Sequence, residues 1–181
     1  MVEDGVLDSK FCKEIISRYE MDTRHQPGIT YKGLDPSIKN SQDLMIDRFL
    51  EWEDVCRRID DILRIFIKRY SDFVTKKFPK PDSFDDTWHM GYQIQKSGHY
   101  LWHNDSAVEH GKVRVLTFIF YLNTVEGGET GFHYKQVNPV QGRGVMFPAT
   151  WDYIHCGQPA NGKYILTGWL YRNIQVKKIM T

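Results

Sequence analysis

His103 and Asp105 stand one residue apart in Tyr-Leu-Trp-His-Asn-Asp, and His155 follows well downstream in Ile-His-Cys-Gly-Gln-Pro. Two imidazoles and one carboxylate can cap one face of an octahedral Fe(II) and leave the remaining positions open for small molecules. Alone, a His-x-Asp pair is common, and a single histidine reads first as an ordinary hydrogen-bonded or solvated side chain. Whether these three share a metal therefore depends on the elements that carry them.

If the segment from His99 to Asp105 is extended, side chains alternate between faces. His103 and Asp105 then point one way, while Trp102 and Asn104 point the other. His155 stands at the start of a turn and could close the site from the end of another strand. The same alternation sorts Arg114 to Asn123: Thr117, Ile119 and Tyr121 share one face, and Leu116, Phe118, Phe120 and Leu122 fill the other. A hydroxyl and a phenol opposite a wholly apolar face suggest a polar cavity on one side. In the last run, Lys163, Ile165, Thr167, Trp169 and Tyr171 fall on one face, against Tyr164, Leu166, Gly168 and Leu170. A lone lysine at a strand start is usually solvated. Beside a metal at His155, however, Lys163 could hold the far end of a small dicarboxylate.

The chain has 181 residues and a formal net charge of +1. That length suits one domain, 1–181, with a core buried without staples. Balanced charge with no long run of either sign does not indicate a phosphate-backbone or anionic-membrane partner. Cys12, Cys56 and Cys156 are an odd, scattered set without Cys-x-x-Cys, which argues against a disulfide framework or zinc knuckle and for a reducing compartment. The N-terminus lacks the regions of a signal peptide, and no apolar stretch approaches membrane-spanning length. The expected location is the cytoplasm.

Apolar residues at Leu7, Phe11, Cys12, Ile15, Ile16 and Tyr19 predict a short amphipathic helix over Leu7 to Tyr19, with Asp8 or Ser9 as cap. Met21 to Ser41 reads as a loop with a short strand. Trp52, Val55, Cys56, Ile59, Leu63, Phe66, Tyr70 and Phe73 predict a long helix from about Gln42 to Lys77, stopped by Pro79 and Pro81. After that come short β-rich runs at Trp88 to Lys96, His99 to Asp105, Val113 to Leu122, Gly131 to Gln136, Gly144 to Phe147 and Tyr164 to Tyr171. The expectation is an α+β, mainly β chain: a helical support region over 1–80 and a β-sandwich or barrel over 88–172.

Taken in order, the motifs Tyr100-x-x-His103-x-Asp105, Arg114-x-x-Thr117-x-x-x-Tyr121-Leu122-Asn123, Glu126-Gly-Gly-Glu-Thr130-x-Phe132 and His155-x-Gly157-x-Pro159 with Lys163 and Thr167 resemble one family. It is the prolyl 4-hydroxylase-like branch of the 2-oxoglutarate and Fe(II)-dependent dioxygenases. The resemblance spans roughly Trp88 to Arg172. It implies a double-stranded β-helix, or jelly-roll, with iron held by His103, Asp105 and His155. It also implies that 2-oxoglutarate chelates the iron and meets Lys163 with its far carboxylate. Thr117 and Tyr121 match positions lining that carboxylate pocket; Thr167 and Trp169 match positions beside the iron and cosubstrate.

The implied reaction consumes O2, converts 2-oxoglutarate to succinate and CO2, and hydroxylates an unactivated C–H bond, with ascorbate a candidate reductant. Because Asp105 is present, hydroxylation is favoured over halogenation. The resemblance puts a peptidyl proline first as substrate, ahead of another protein side chain or a free amino acid. Members often carry a cosubstrate-contacting tyrosine on the strand before His-x-Asp; nothing aligns cleanly here, and Tyr92 is the candidate. Glu126 to Glu129 reads as a turn in which Gly127 and Gly128 take positive φ. Lys39-Asn-Ser41 is a weak match to a substrate-side motif, and Met21 to Ser41 with Lys96 to Gly98 are the candidate substrate loops.

Three other readings compete. His99 and His103 at helical spacing could bind zinc, but no Glu follows His99 and the aromatics favour a strand. A nucleic-acid demethylase of the same superfamily would use an arginine-rich end to its last strands, where this chain has Lys163 and Trp169. A non-catalytic jelly-roll that senses 2-oxoglutarate would keep the same pocket.

Overall fold

The computed structural model describes residues 1–78 and 84–174, the side chain of Ser97 excepted. A short β1 (Val2–Glu3) leads into α1 (Ser9–Met21), whose buried stripe is Phe11, Cys12, Ile15 and Tyr19. The Asp8 carboxylate accepts from Phe11 N–H at 2.8 Å, satisfying one of the donors a helix start leaves free. Two strands follow, β2 (Gln26–Pro27) and β3 (Lys39–Met45). Then α2 (Glu53–Thr75) buries Val55, Ile59, Leu63, Phe66 and Tyr70.

The expected long helix from Gln42 is thus corrected at its start. Gln42 to Met45 belong to β3, and two 3-10 turns, Ile46–Arg48 and Leu50–Trp52, lead into α2. The three-to-four apolar spacing holds only from Trp52 onward. Before it, burial alternates as a strand requires, and backbone pairing with a neighbouring strand decides the conformation. Pro79 and Pro81 lie outside the described residues.

The second half supplies β4 (Trp88–His89), β5 (Gln93–His103), β6 (Val108–Glu109), β7 (Lys112–Tyr121), β8 (Thr130–Phe132), β9 (Lys135–Val137), β10 (Gly144–Pro148), β11 (His155–Gly157) and β12 (Lys163–Asn173). The two runs expected on either side of Gly98 are one strand, β5. Lys96 to Gly98 is therefore paired backbone, not a substrate loop. The run Gly131 to Gln136 is divided into β8 and β9, an antiparallel hairpin.

All named pairings are antiparallel. The large sheet runs β1-β10-β7-β12-β5 with β3 added beyond β5, and β11-β8-β9 form the smaller sheet. Strand β5 serves both: Gln93 to Ser97 pair with β12, whereas Tyr100 and His103 pair with β11. The two layers fold over each other as a jelly-roll, the double-stranded β-helix.

The outer face of the large sheet packs on the helices. Ile94, Leu116, Phe118, Phe120, Leu122, Leu166 and Leu170 join the α1 and α2 stripes in one apolar cluster, and each fully buried Phe or Leu contributes about 1.5–3 kcal/mol. Between the layers a smaller cluster of Ile119, Tyr121, Val137, Val145 and Phe147 closes one end. The rest of the inner face lines a cavity.

Candidate active site

His103 ends β5, Asp105 lies just beyond it, and His155 opens β11 directly opposite His103. One ligand atom from each lies within 4.8 Å of the others. His103 Nε2 is 3.9 Å from Asp105 Oδ1, and His155 Nε2 is 3.5 Å from Asp105 Oδ2. The opposite ring nitrogens face backbone carbonyls: His103 Nδ1 to Leu101 at 2.7 Å and His155 Nδ1 to Tyr153 at 3.3 Å. Those carbonyls can only accept, so Nδ1 carries a proton in both rings and Nε2 is the nitrogen turned toward the carboxylate. Burial, followed by the neighbouring His155, pushes His103 down to about 4, so its imidazole is neutral, as a metal ligand must be. Thr117 donates to Asp105 Oδ2 at 2.7 Å and fixes the carboxylate. Two imidazoles that turn Nε2 inward and an oriented carboxylate fit Fe(II).

The trio lines one cavity of about 70 Å³, with Lys163 on the same wall. Lys163 is 3% exposed. Its ammonium donates to the carbonyls of Gly128 at 2.8 Å and Gln158 at 3.4 Å, leaving one N–H free. Burial pushes its pKa from 10.5 down to about 8, partly opposed by Glu129. The Glu126 to Glu129 segment is the turn expected, with Gly127 at φ 74° and Gly128 at φ 70°. A Cβ on Gly128 would also sit 2.6 Å from that of Ala160. This tight turn is what aims a carbonyl at Lys163.

The remaining expected residues divide. Thr117, Thr167 and Trp169 line the cavity. The Thr167 hydroxyl is occupied by the Phe118 carbonyl at 2.7 Å, whereas Trp169 Nε1 is buried without a partner beneath the Arg114 guanidinium at 4.0 Å. Tyr121 stands one layer behind, its hydroxyl 2.5 Å from that of Thr130, which does line the cavity. Tyr92 is elsewhere: it is fully buried in the helix-facing core, stacks on His89 and donates to Asp60. It faces away because it precedes the inward-facing Gln93 by one residue, and successive strand residues alternate. His99 is on a strand, with its ring nitrogen 3.1 Å from the Ser37 carbonyl, so the helical zinc pair does not form.

Several lining residues carry no motif that marks them in the sequence: Tyr100 beyond its place before His-x-Asp, Gln95, Thr130, and Lys39 and Ser41 beyond their weak match. Tyr100 stacks on His103 with centroids 3.5 Å apart. Lys39 pairs with Asp43 at 2.7 Å, both at most 7% exposed. Gln93 and Gln95 share a face two residues apart, and that spacing is the signal available for them.

A jelly-roll with two histidines and an aspartate at one end of its cavity defines a class of metal-dependent oxygenase. Residues 89–171 match the model of the 2OG-Fe(II) oxygenase superfamily. The matched stretch is the jelly-roll region that carries His103, Asp105 and His155, and the superfamily's description names Fe(II) and 2-oxoglutarate. No curated protein matches the chain in sequence. Among solved structures, it is similar to a viral collagen prolyl hydroxylase from Paramecium Bursaria Chlorella virus-1 in complex with 2OG, at 21% identity over 95% of each chain and a TM-score of 0.67. It is also similar to a Trichoplax adhaerens prolyl hydroxylase in complex with a hypoxia inducible factor peptide fragment, at 17% identity, 94% and 82% coverage of this chain and that one, and a TM-score of 0.75. A Pseudomonas putida prolyl-4-hydroxylase matches at 17% identity, 96% and 92% coverage, and a TM-score of 0.63. No described helix is long and apolar enough to cross a membrane.

Proposed function

We propose that this chain hydroxylates an unactivated C–H bond of a proline within a peptide. One oxygen atom of O2 enters the product alcohol and the other enters succinate, with CO2 released from 2-oxoglutarate. The observation that carries this reading is one cavity with His103, Asp105 and His155 at one end and the buried, carboxylate-free Lys163 on its wall. The peptidyl proline is suggested by the prolyl hydroxylases of the same fold, one of which holds a peptide.

His103, Asp105 and His155 would hold Fe(II), which when bound supplies O2 activation. Thr117 keeps the Asp105 carboxylate turned to the metal position. The free N–H of Lys163 pairs with the far carboxylate of 2-oxoglutarate, a charge-assisted bond in a site poor in water. The Trp169 indole N–H is a donor kept for an occupant of the cavity, and the Tyr121–Thr130 hydroxyl pair backs the wall. Tyr100, stacked on His103, limits the approach of water.

Anaerobic addition of Fe(II) and 2-oxoglutarate should give the visible charge-transfer band of a chelated keto acid. Succinate release should then depend on a proline-containing peptide that gains one oxygen by mass. Absence of the band in the wild-type protein rejects the oxygenase site, and release stimulated only by non-proline substrates rejects the substrate class.

A further inference from the structure

Two residues of the cavity wall, Lys39 and Gln95, are joined through Asp43 and Gln93 by a line of polar contacts that the His103, Asp105 and His155 cluster and Lys163 do not explain. Asp43 Oδ2 accepts from Lys39 Nζ at 2.7 Å and from Gln93 Nε2 at 2.7 Å; Gln93 Oε1 accepts from Gln95 Nε2 at 3.0 Å. Burying an ion pair is seldom the most effective way to stabilise a fold, and apolar replacements often do as well. This one is also tightly covered. A Cβ on Gly28 would lie 2.1 Å from Ser41 Oγ, 2.8 Å from Lys39 Cε and 3.0 Å from Asp43 Oδ2, so only a glycine lets the β2 end seal the pair.

The line has a direction. A carboxylate only accepts, so the Gln93 atom facing Asp43 is its NH2 group, and Gln93 turns its carbonyl to Gln95. Gln95 must answer with its own NH2 group. One of those two N–H bonds is used; the other is left on a residue that lines the cavity. In register, Gln95 lies beside Ile165, one same-face step along β12 from Lys163, and Gln93 lies beside Thr167. Same-face neighbours on adjacent strands are within reach of long side chains.

We propose that Gln95 is a second cosubstrate contact, donating its free N–H to a carboxylate or keto oxygen of 2-oxoglutarate, and that Asp43 acts through Gln93 as a positioning residue that sets the polarity of that amide. The inference rests on 2-oxoglutarate occupying this cavity beside Lys163. It assigns Asp43 a duty at a distance, since its carboxylate touches no cosubstrate atom. Asp43→Asn keeps shape and removes the obligation to accept, so it frees both glutamines to flip.

The test is 2-oxoglutarate affinity, titrated anaerobically with Fe(II) through the charge-transfer band. Melting temperature and Fe(II) affinity are followed in parallel. Gln95→Ala and Gln93→Ala should each weaken 2-oxoglutarate about tenfold, the scale of one hydrogen bond to a charged group. The double variant should be no weaker than Gln95→Ala, because Gln93 acts only through Gln95. Gln95→Glu, nearly isosteric, should lose at least as much by repelling the dianion, and it carries the test if the alanine variants melt. Asp43→Asn should weaken 2-oxoglutarate with Fe(II) affinity unchanged. Unchanged affinity in Gln95→Glu, or fully additive losses at Gln93 and Gln95, overturns the proposal. If Lys163→Ala weakens 2-oxoglutarate while the Gln95 variants do not, the relay is wrong and the active-site reading survives. A wild-type protein that binds no 2-oxoglutarate overturns both.

Discussion

Thr117 and Phe118 are neighbours on β7, yet they belong to different halves of the molecule. Phe118 is fully buried among helix side chains, and Thr117 donates to the Asp105 carboxylate. The division runs along the whole large sheet. Outward lie Leu116, Phe118, Phe120, Leu166 and Leu170; inward lie Thr117, Ile119, Gln95, Lys163, Thr167 and Trp169. Both sets include buried residues, but burial does opposite things to them. On the helix side it removes apolar area from water and holds the fold together. On the cavity side it leaves polar atoms short of partners: Ser41 Oγ and Trp169 Nε1 of the lining are unpaired, as is the buried Asp43 Oδ1 of β3. Such groups weigh against folding.

Substitutions on the two faces should therefore fail differently. The largest effect is expected at the metal end. His155→Ala should abolish the charge-transfer band and lower Fe(II) affinity beyond the roughly 10–100-fold typical of losing a mere orienting partner. An unchanged band removes His155 from the ligand set. Phe118→Ala should destabilise by about 3–5 kcal/mol in denaturant titration, while the folded fraction binds 2-oxoglutarate as before; a matching loss of affinity would mean the faces are not separable. Lys163→Ala should weaken 2-oxoglutarate on the order of 100-fold with little change in melting temperature, because a buried ammonium is no aid to folding on its own.

The smallest effect is a pH dependence. Lys163 falls from 10.5 to about 8 on folding. Between those values the unfolded chain holds a proton that the folded chain does not, so the ligand-free protein gains stability as pH rises through that window. Binding needs the ammonium, so 2-oxoglutarate affinity should fall by at most about tenfold per pH unit above about 8. Isothermal titration across pH 7 to 10, flat in Lys163→Arg and sloping in the wild type, would sharpen the contrast; a slope shared by both assigns it to another group.

The same contrast explains how much the amino-acid order discloses. On β7 and β12 the outward residues are apolar and the inward ones mixed, so alternation in the sequence is enough to separate the two faces. His103, Asp105 and Lys163 then fall inward together. In β3 the pattern is inverted: its buried residues include Lys39, Ser41 and Asp43. A strand whose hidden side is polar sends no hydrophobic signal, so its tail reads as an extension of the following helix. Tyr92 misleads for the opposite reason. Its aromatic ring suggests a ligand contact, but parity along β5 puts it outward, and the inward neighbours Gln93 and Gln95 are of a residue type that attracts no notice.

Strand β5 begins in one layer and ends in the other, carrying Gln95 on the cavity wall and His103 in the cluster with Asp105 and His155. It works as a gauge bar with two steps in it: its pairing shifts by one residue against β3 at Gly98 and again against β11 between Tyr100 and His103, and the two steps together leave Gln95, Tyr100 and His103 all on the cavity. Deleting or inserting one residue between Gln95 and His103 would turn the histidine to the opposite side, leaving half the pocket intact and useless. The backbone from Gly28 to Ile38, outside any named strand, is under no such constraint. Changes in length among descendants or engineered forms of this protein should accumulate there and spare β5, so new specificities would arise by lengthening the approach to the site while its inner spacing stays the same.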